Sequence, residues 1–164
     1  MKRLLLSLLL TFSIATCYAQ NDLTTFILIR HAEKADDGTR NPPLTDQGKD
    51  RAERLKDLFA EAGVTAIYTT PYKRTRATVA PLALELGMIV KEYDPRSNDF
   101  IEEIMKSHKG GTIVVSGHSN TTPFVANALL GNKQFEQLSE KEYGMIFMVT
   151  ISEVGKGRVN ILKY

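Results

Sequence analysis

Thr25-Phe26-Ile27-Leu28-Ile29-Arg30-His31 is an uninterrupted apolar, β-rich run that stops at a guanidinium and an imidazole. A run without polar alternation suits a strand covered on both faces, as in a parallel sheet. The same grammar repeats downstream. Thr45 to Ala62 reads as a helix, with Thr45 as cap, Ala52, Leu55, Phe59 and Ala62 at three- and four-residue spacing, and Gly63 as stop. Ala66 to Thr69 reads as a second strand. Lys73 to Leu86 is helical in pattern, with Pro81 expected to bend it or to begin a fresh turn, and Gly87 as its end. Met88 to Tyr93 is a third strand, Ser97 to Ser107 a third helix and Thr112 to Ser116 a fourth strand. A helix from Thr121 to Leu130 takes Pro123 in its first turn. Gly144 to Ser152 and Val159 to Lys163, joined by a turn over Glu153–Gly157, read as a β-hairpin.

Strands alternating with helices predict an α/β fold: a three-layer α/β/α arrangement around a mostly parallel sheet, with the C-terminal hairpin at an edge. In such sheets the ligand crevice opens beyond the carboxyl ends of the strands. That rule selects Arg30-His31, Thr70, Asp94 and Gly117-His118-Ser119 as candidate site residues.

Composition narrows the classes. The chain has 164 residues, 43% apolar and 24% charged, with one Cys and no Trp. This suits one globular domain and excludes a disulfide scaffold or a disordered tail. Residues 1–19 form a separate unit. Met1-Lys2-Arg3 precedes an apolar run, Leu4 to Ile14, and Cys17-Tyr18-Ala19 offers small residues at −3 and −1 of a cut before Gln20. This is the three-part pattern of a secretory signal, too short for a stable membrane span. The expectation is an exported protein, periplasmic or extracellular, with a single domain over residues 20–164. A lipoprotein-type cut before Cys17 is the weaker alternative, because Thr16 is a poor residue there. Removing the signal takes away Lys2, Arg3 and the lone Cys but no acid, so the remainder has equal numbers of basic and acidic side chains. Nothing in that balance points to nucleic acid or to an anionic membrane surface.

Two of the three histidines, His31 and His118, directly follow strand-like runs. A neutral imidazole can attack phosphorus, and a second can hydrogen-bond a phosphoryl oxygen. Arginine suits the same chemistry, since its planar fork matches phosphate oxygens and keeps its charge. Arg30 stands beside His31, and Arg74 opens a helix after Thr69-Thr70-Pro71. His108, in a Lys-Gly-Gly turn, reads as a solvated surface residue. Asn41, Ser119 and Asn120 are candidate pocket residues, although Ser119 and Asn120 also suit a helix cap. Lys34 and Arg76 read as solvent-facing.

Four blocks carry a resemblance: Arg30-His31-Ala32-Glu33; Leu44-Thr45-Asp46-Gln47-Gly48; Tyr68-Thr69-Thr70-Pro71-Tyr72-Lys73-Arg74-Thr75-Arg76-Ala77-Thr78; and Val115-Ser116-Gly117-His118-Ser119-Asn120. In this order they resemble the histidine phosphatase, or phosphoglycerate mutase-like, superfamily, and specifically its short phosphatases. The resemblance runs from about Thr25 to Leu130. It implies that His31 is the phosphorylated nucleophile and that Arg30, Arg74 and His118 bind the transferring phosphoryl group. It implies no cofactor and no metal, and the sequence has no His/Cys/Asp spacing suited to one. The substrate class is then a phosphorylated small molecule or phosphoprotein. Many family members protonate the leaving group with a carboxylic acid after the third strand. The candidates here are Glu92, Asp94 and Asp99, with Glu33 outside the pattern. Asp94 is favoured as nearest the strand's carboxyl end, its rival role being a turn before Pro95. If none serves, good leaving groups such as phosphoramidates are expected.

Other readings fit less well. Gly117-His118-Ser119 resembles part of a nucleophile elbow, but Thr121 stands at the second glycine position and no His follows Ser119. No phosphate-loop motif occurs. A non-catalytic phospholigand-binding domain should have lost one of His31, Arg30, Arg74 or His118. A mutase needs a lid to keep water from the phosphohistidine, and the stretch between the third and fourth strands is short for one.

Overall fold

The structure is a computed structural model and describes residues 23–97 and 99–164; the expected signal, residues 1–19, lies outside the described residues. The apolar runs become a single sheet ordered β3-β2-β4-β1-β5-β6. Strands β1 (Thr24–Arg30), β2 (Val64–Thr69), β3 (Val90–Glu92) and β4 (Thr112–Gly117) run parallel, while β5 (Met145–Glu153) lies antiparallel against β1 and pairs with β6 (Lys156–Lys163) at the sheet edge. Thus the hairpin closes one side of a parallel four-strand unit.

Alternation along β1 builds two cores. Phe26 and Leu28 join Ile113, Val115 and the inward faces of α3 (Phe100–His108) and α4 (Thr121–Leu130). Ile27 and Ile29 join Val114, Leu55, Phe59 of α1 (Asp46–Phe59) and Val79, Leu82 of α2 (Lys73–Glu85). Helices on both faces explain why β1 is apolar without interruption from Phe26 to Ile29, and the three-layer α/β/α expectation holds. Among the described residues no helix is long and apolar enough to cross a membrane.

Boundaries shift in instructive ways. The first helix ends at Phe59 rather than Ala62, whose methyl is exposed and buries nothing that would extend the helix. Pro81 lies inside α2, which continues unbroken to Glu85. Strand β3 is three residues long, shorter than the expected Met88–Tyr93. Residues 131–144 form no helix or strand, yet they lie close to the site.

Candidate active site

The register of the parallel strands brings their carboxyl ends level. Ile29 pairs with Ser116, Ser116 with Thr69, and Thr69 with Glu92. The ladder continues beyond β1, where the His31 amide donates to the Gly117 carbonyl at 2.9 Å. His31 and His118 therefore leave neighbouring strands side by side, with ring centroids 5.4 Å apart at an interplanar angle of 68°.

His31 is buried, and its Nδ1 lies 2.8 Å from the Ala32 carbonyl oxygen. A carbonyl only accepts, so Nδ1 carries the proton and Nε2 keeps its lone pair. Burial, then the charges of Arg74 and Arg30, hold the ring neutral against the opposing pull of the Ala32 carbonyl, with a pKa of about 3. Thr78 fixes the segment, for its hydroxyl accepts from the Ala32 amide at 2.9 Å and donates to the Arg74 carbonyl at 2.7 Å. One threonine thus joins the end of β1 to the first turn of α2.

His118 is set by the other side of the cleft. Arg74 Nη2 approaches its Nδ1 at 3.4 Å and can only donate, so Nε2 bears the proton and donates to Thr70 Oγ1 at 2.9 Å. Thr70 in turn donates to Thr75, whose hydroxyl donates to the Thr70 carbonyl. Burial, reinforced by Arg74, Arg30 and Lys34, lowers the His118 pKa to about 4. Tyr72 presents its ring to His118 at 4.9 Å, and the Arg74 guanidinium lies over Tyr72, 4.6 Å from its centroid.

The arginines differ in how they are used. Arg30 is 1% exposed; its Nη1 donates to the carbonyls of Ser139 (2.7 Å) and Glu142 (3.0 Å), and its Nη2 to Glu140 Oε2 (3.1 Å). Its Nε, together with Nε and Nη1 of Arg74, is buried without a hydrogen-bond partner among the described residues. Buried donors left unpaired cost folding free energy, so such a cluster marks a place built for an acceptor. Three guanidinium nitrogens and two imidazoles at one rim suit a multiply charged oxyanion. The cavity they share measures about 730 Å³ and is also lined by Lys34, Thr70, Tyr72, Glu92, Asp94, Arg96, Ser119, Asn120 and Glu140.

The acid candidates fare differently. Asp94 lines the cavity, but its carboxylate accepts from the Arg96 side chain at 3.2 and 3.4 Å and from the Arg96 amide at 3.0 Å. The Arg96 hydrogen bonds hold its pKa below the usual carboxylate range. That is the turn-forming role, and it favours the ionised carboxylate. Asp94 thus stands on the cavity wall, as the sequence places it, with Arg96 as its partner. Glu92 lines the same wall and is ion-paired with Arg76, so Arg76 is exposed but engaged. Asp99 precedes α3 and is absent from the cavity wall. Burial pushes the Glu33 carboxyl upward, but hydrogen bonds and charge from Arg51, with Glu33's own amide, outweigh it and hold the group below its usual range. Its bidentate contacts to Arg51, at 2.6–3.0 Å, make it a structural clamp.

Other side chains fall into place. Ser119 and Asn120 line the cavity and make no side-chain cap bond to α4. Asn41 instead accepts from the Lys73 amide at the start of α2. Lys34 is exposed at the cavity rim. His108 is half-buried and meets the Tyr68 hydroxyl at 3.1 Å, a correction to its surface reading. Sequence reasoning missed Tyr72, Tyr143 and Glu140. Tyr143 stacks on the Arg30 guanidinium at 4.3 Å. Tyr143 and Glu140 belong to residues 131–144, which have no periodicity from which to place them.

Residues 26–96 match the family model described as the histidine phosphatase superfamily (branch 1). Over that stretch the chain is similar to the superfamily. The matched span contains Arg30, His31 and Arg74, while His118 joins them through the sheet register. Several solved structures share the histidine phosphatase fold with this chain. A mycobacterial glucosyl-3-phosphoglycerate phosphatase is 13% identical, with a TM-score of 0.65 over 87% of this chain and 97% of its own. YhfR of Bacillus stearothermophilus is 16% identical, with a TM-score of 0.67 over 84% and 96%. The protein histidine phosphatase SixA, solved with tungstate, is 16% identical, with a TM-score of 0.66 over 86% and 96%. At such identity the likeness is one of fold. No protein of curated function matches the chain in sequence.

Proposed function

We propose that this chain is a member of the histidine phosphatase superfamily, a phosphohydrolase that cleaves phosphomonoesters or phosphoramidates through a phosphohistidine on His31. The observation that carries the reading is the fixed tautomer of His31: Nδ1–H is tied to the Ala32 carbonyl, so Nε2 is an unprotonated nucleophile at neutral pH. Its lone pair forms the N–P bond as the P–O or P–N bond to the leaving group breaks. Water then attacks phosphorus on the opposite side, and the His31 nitrogen departs with its electron pair, releasing phosphate. Positioning and charge stabilisation carry most of such a transfer. The unpaired donors of Arg74 and Arg30 would hold the equatorial oxygens. An incoming dianion offsets the two guanidinium charges that disfavour His118 protonation, and a protonated His118 would add a third donor.

With Asp94 held as a carboxylate, the site supports leaving groups that need little protonation, such as aryl phosphates and phosphoramidates, over simple alkyl esters. Water has access through the open cavity, which favours hydrolysis over a mutase cycle. The pattern in residues 1–19 suggests that these substrates are met outside the cytosol. The relatives' own names, one a glucosyl-3-phosphoglycerate phosphatase and one a protein histidine phosphatase, bracket a small molecule and a phosphoprotein as substrate.

Purified protein should hydrolyse p-nitrophenyl phosphate without added metal. His31→Ala should abolish turnover while leaving the fold intact, and Arg74→Ala should lose about 10²-fold, as removal of a charge-stabilising donor does elsewhere. Undiminished turnover in the His31 variant would refute the mechanism.

A further inference from the structure

Glu140 brings a negative charge into the cavity that the proposed chemistry does not use. Its Oε2 accepts from Arg30 Nη2 at 3.1 Å, and its Oε1 accepts from the Ser119 hydroxyl at 3.3 Å. Its charge also reaches Arg74, whose pKa burial lowers, and acts against that lowering. One carboxylate therefore spans a donor on the last residue of β1 and one just beyond β4, between which a phosphoryl group would bind. We propose that Glu140 is a resident competitor for that site, and that it sets how weakly free phosphate is held and which substrates displace it. The proposal rests on the phosphoryl-transfer reading above.

The geometry separates a fixed part from a movable part. Both protons of Arg30 Nη1 are taken by the Ser139 and Glu142 carbonyls, which tether the loop backbone. The Leu138 amide, donating to the Ser119 carbonyl at 2.9 Å, and the buried Leu138 side chain anchor it further. The Glu140 side chain is 67% exposed, so it can swing from Arg30 into water with little desolvation cost. Loop and arginine stay in place while the carboxylate leaves. The other acids on the cavity wall have different partners, Glu92 with Arg76 and Asp94 with Arg96, and neither bonds Arg30.

A carboxylate that already holds Arg30 Nη2 and Ser119 beside the unpaired donors repels an incoming anion, and the site's affinity is reduced by the fraction of time the carboxylate is away. Orthophosphate, which brings no contacts beyond the phosphoryl site, bears that reduction in full. A phosphorylated compound large enough to touch the rest of the 730 Å³ cavity offsets it. Glu140 thereby promotes product departure and favours extended substrates over small ones.

The test is equilibrium binding of orthophosphate by calorimetry to purified wild-type protein and to Glu140→Gln and Glu92→Gln. Glu140→Gln should bind orthophosphate about fivefold tighter or more, as expected when the resident anion is removed. Glu92→Gln removes the same formal charge from the same wall and should shift affinity less than about twofold. Equal shifts in the two variants would overturn the proposal by reducing it to a general field effect. Unchanged or weaker binding in Glu140→Gln would overturn it outright. Binding needs no turnover, so wild-type protein that binds orthophosphate yet hydrolyses no phosphorylated compound would refute the proposed activity and leave the competitor standing.

Discussion

The Asp94 carboxylate shows how one neighbour decides a residue's chemistry. Its position at the carboxyl end of β3 is the place for a proton donor, but Arg96, two residues on, favours its ionised state. Asp94→Asn should therefore reduce kcat on an alkyl phosphate and on p-nitrophenyl phosphate by similar small factors. A selective loss on the alkyl ester, in parallel steady-state assays, would identify Asp94 as the acid. At this scale His31, Arg30, Arg74 and His118 were legible because each stands at a strand end or a helix start, where the open-sheet rule places ligands. Asp94's protonation state was not, since it depends on where a guanidinium points. Glu140 and Tyr143 were equally hidden: they reach Arg30 from more than a hundred residues away in an irregular segment.

At the scale of elements, the first turn of α1 supports the nucleophile's segment from behind. The Gly48 amide donates to the Thr45 hydroxyl, and the Thr45 amide donates to the Glu33 carbonyl, two residues after His31. A β-carbon added at Gly48 would lie 2.3 Å from the Glu33 carbonyl oxygen, a backbone atom that cannot step aside alone. Gly48→Ala should thus destabilise the protein by about 1–3 kcal/mol, the usual cost of overpacking, and lower kcat through displacement of the His31 segment. Chemical denaturation and p-nitrophenyl phosphate turnover on the same preparations would check both effects. The helix start at Thr45-Asp46 was readable from its capping residue, whereas its end was set by burial: Phe59 is the last residue to reach the core. Apolar content alone could not show that Ala62 would lie outside. Similarly, β3 is cut short because it has a partner only on its β2 side.

Over the whole molecule, the depressed imidazoles of His31 and His118 link folding to pH. In the unfolded chain both take up protons near 6.5, but in the folded protein only near 3 for His31 and 4 for His118. Between those values the unfolded chain binds more protons, so stability rises with pH through that window and is lost on acidification. Tm should be flat above about pH 7 and should fall steadily from about pH 6.5, before most carboxylates begin to titrate. A Tm unchanged between pH 7 and 5 would contradict the buried, neutral pair. The sheet order that creates this pair was legible only in outline. Alternating elements implied parallel strands, but that β1 and β4 are neighbours is a matter of tertiary contact.

That adjacency bears on how the molecule fails when heated. The spacing between the two rings is inherited from the central hydrogen-bond ladder and from strands packed in both cores, so the reactive geometry has no soft hinge of its own. Inactivation on warming should coincide with the cooperative loss of circular dichroism, with no inactive yet folded species between the two. If catalysis vanished several degrees before the ellipticity changed, the weak point would lie in residues 131–144 rather than in the sheet.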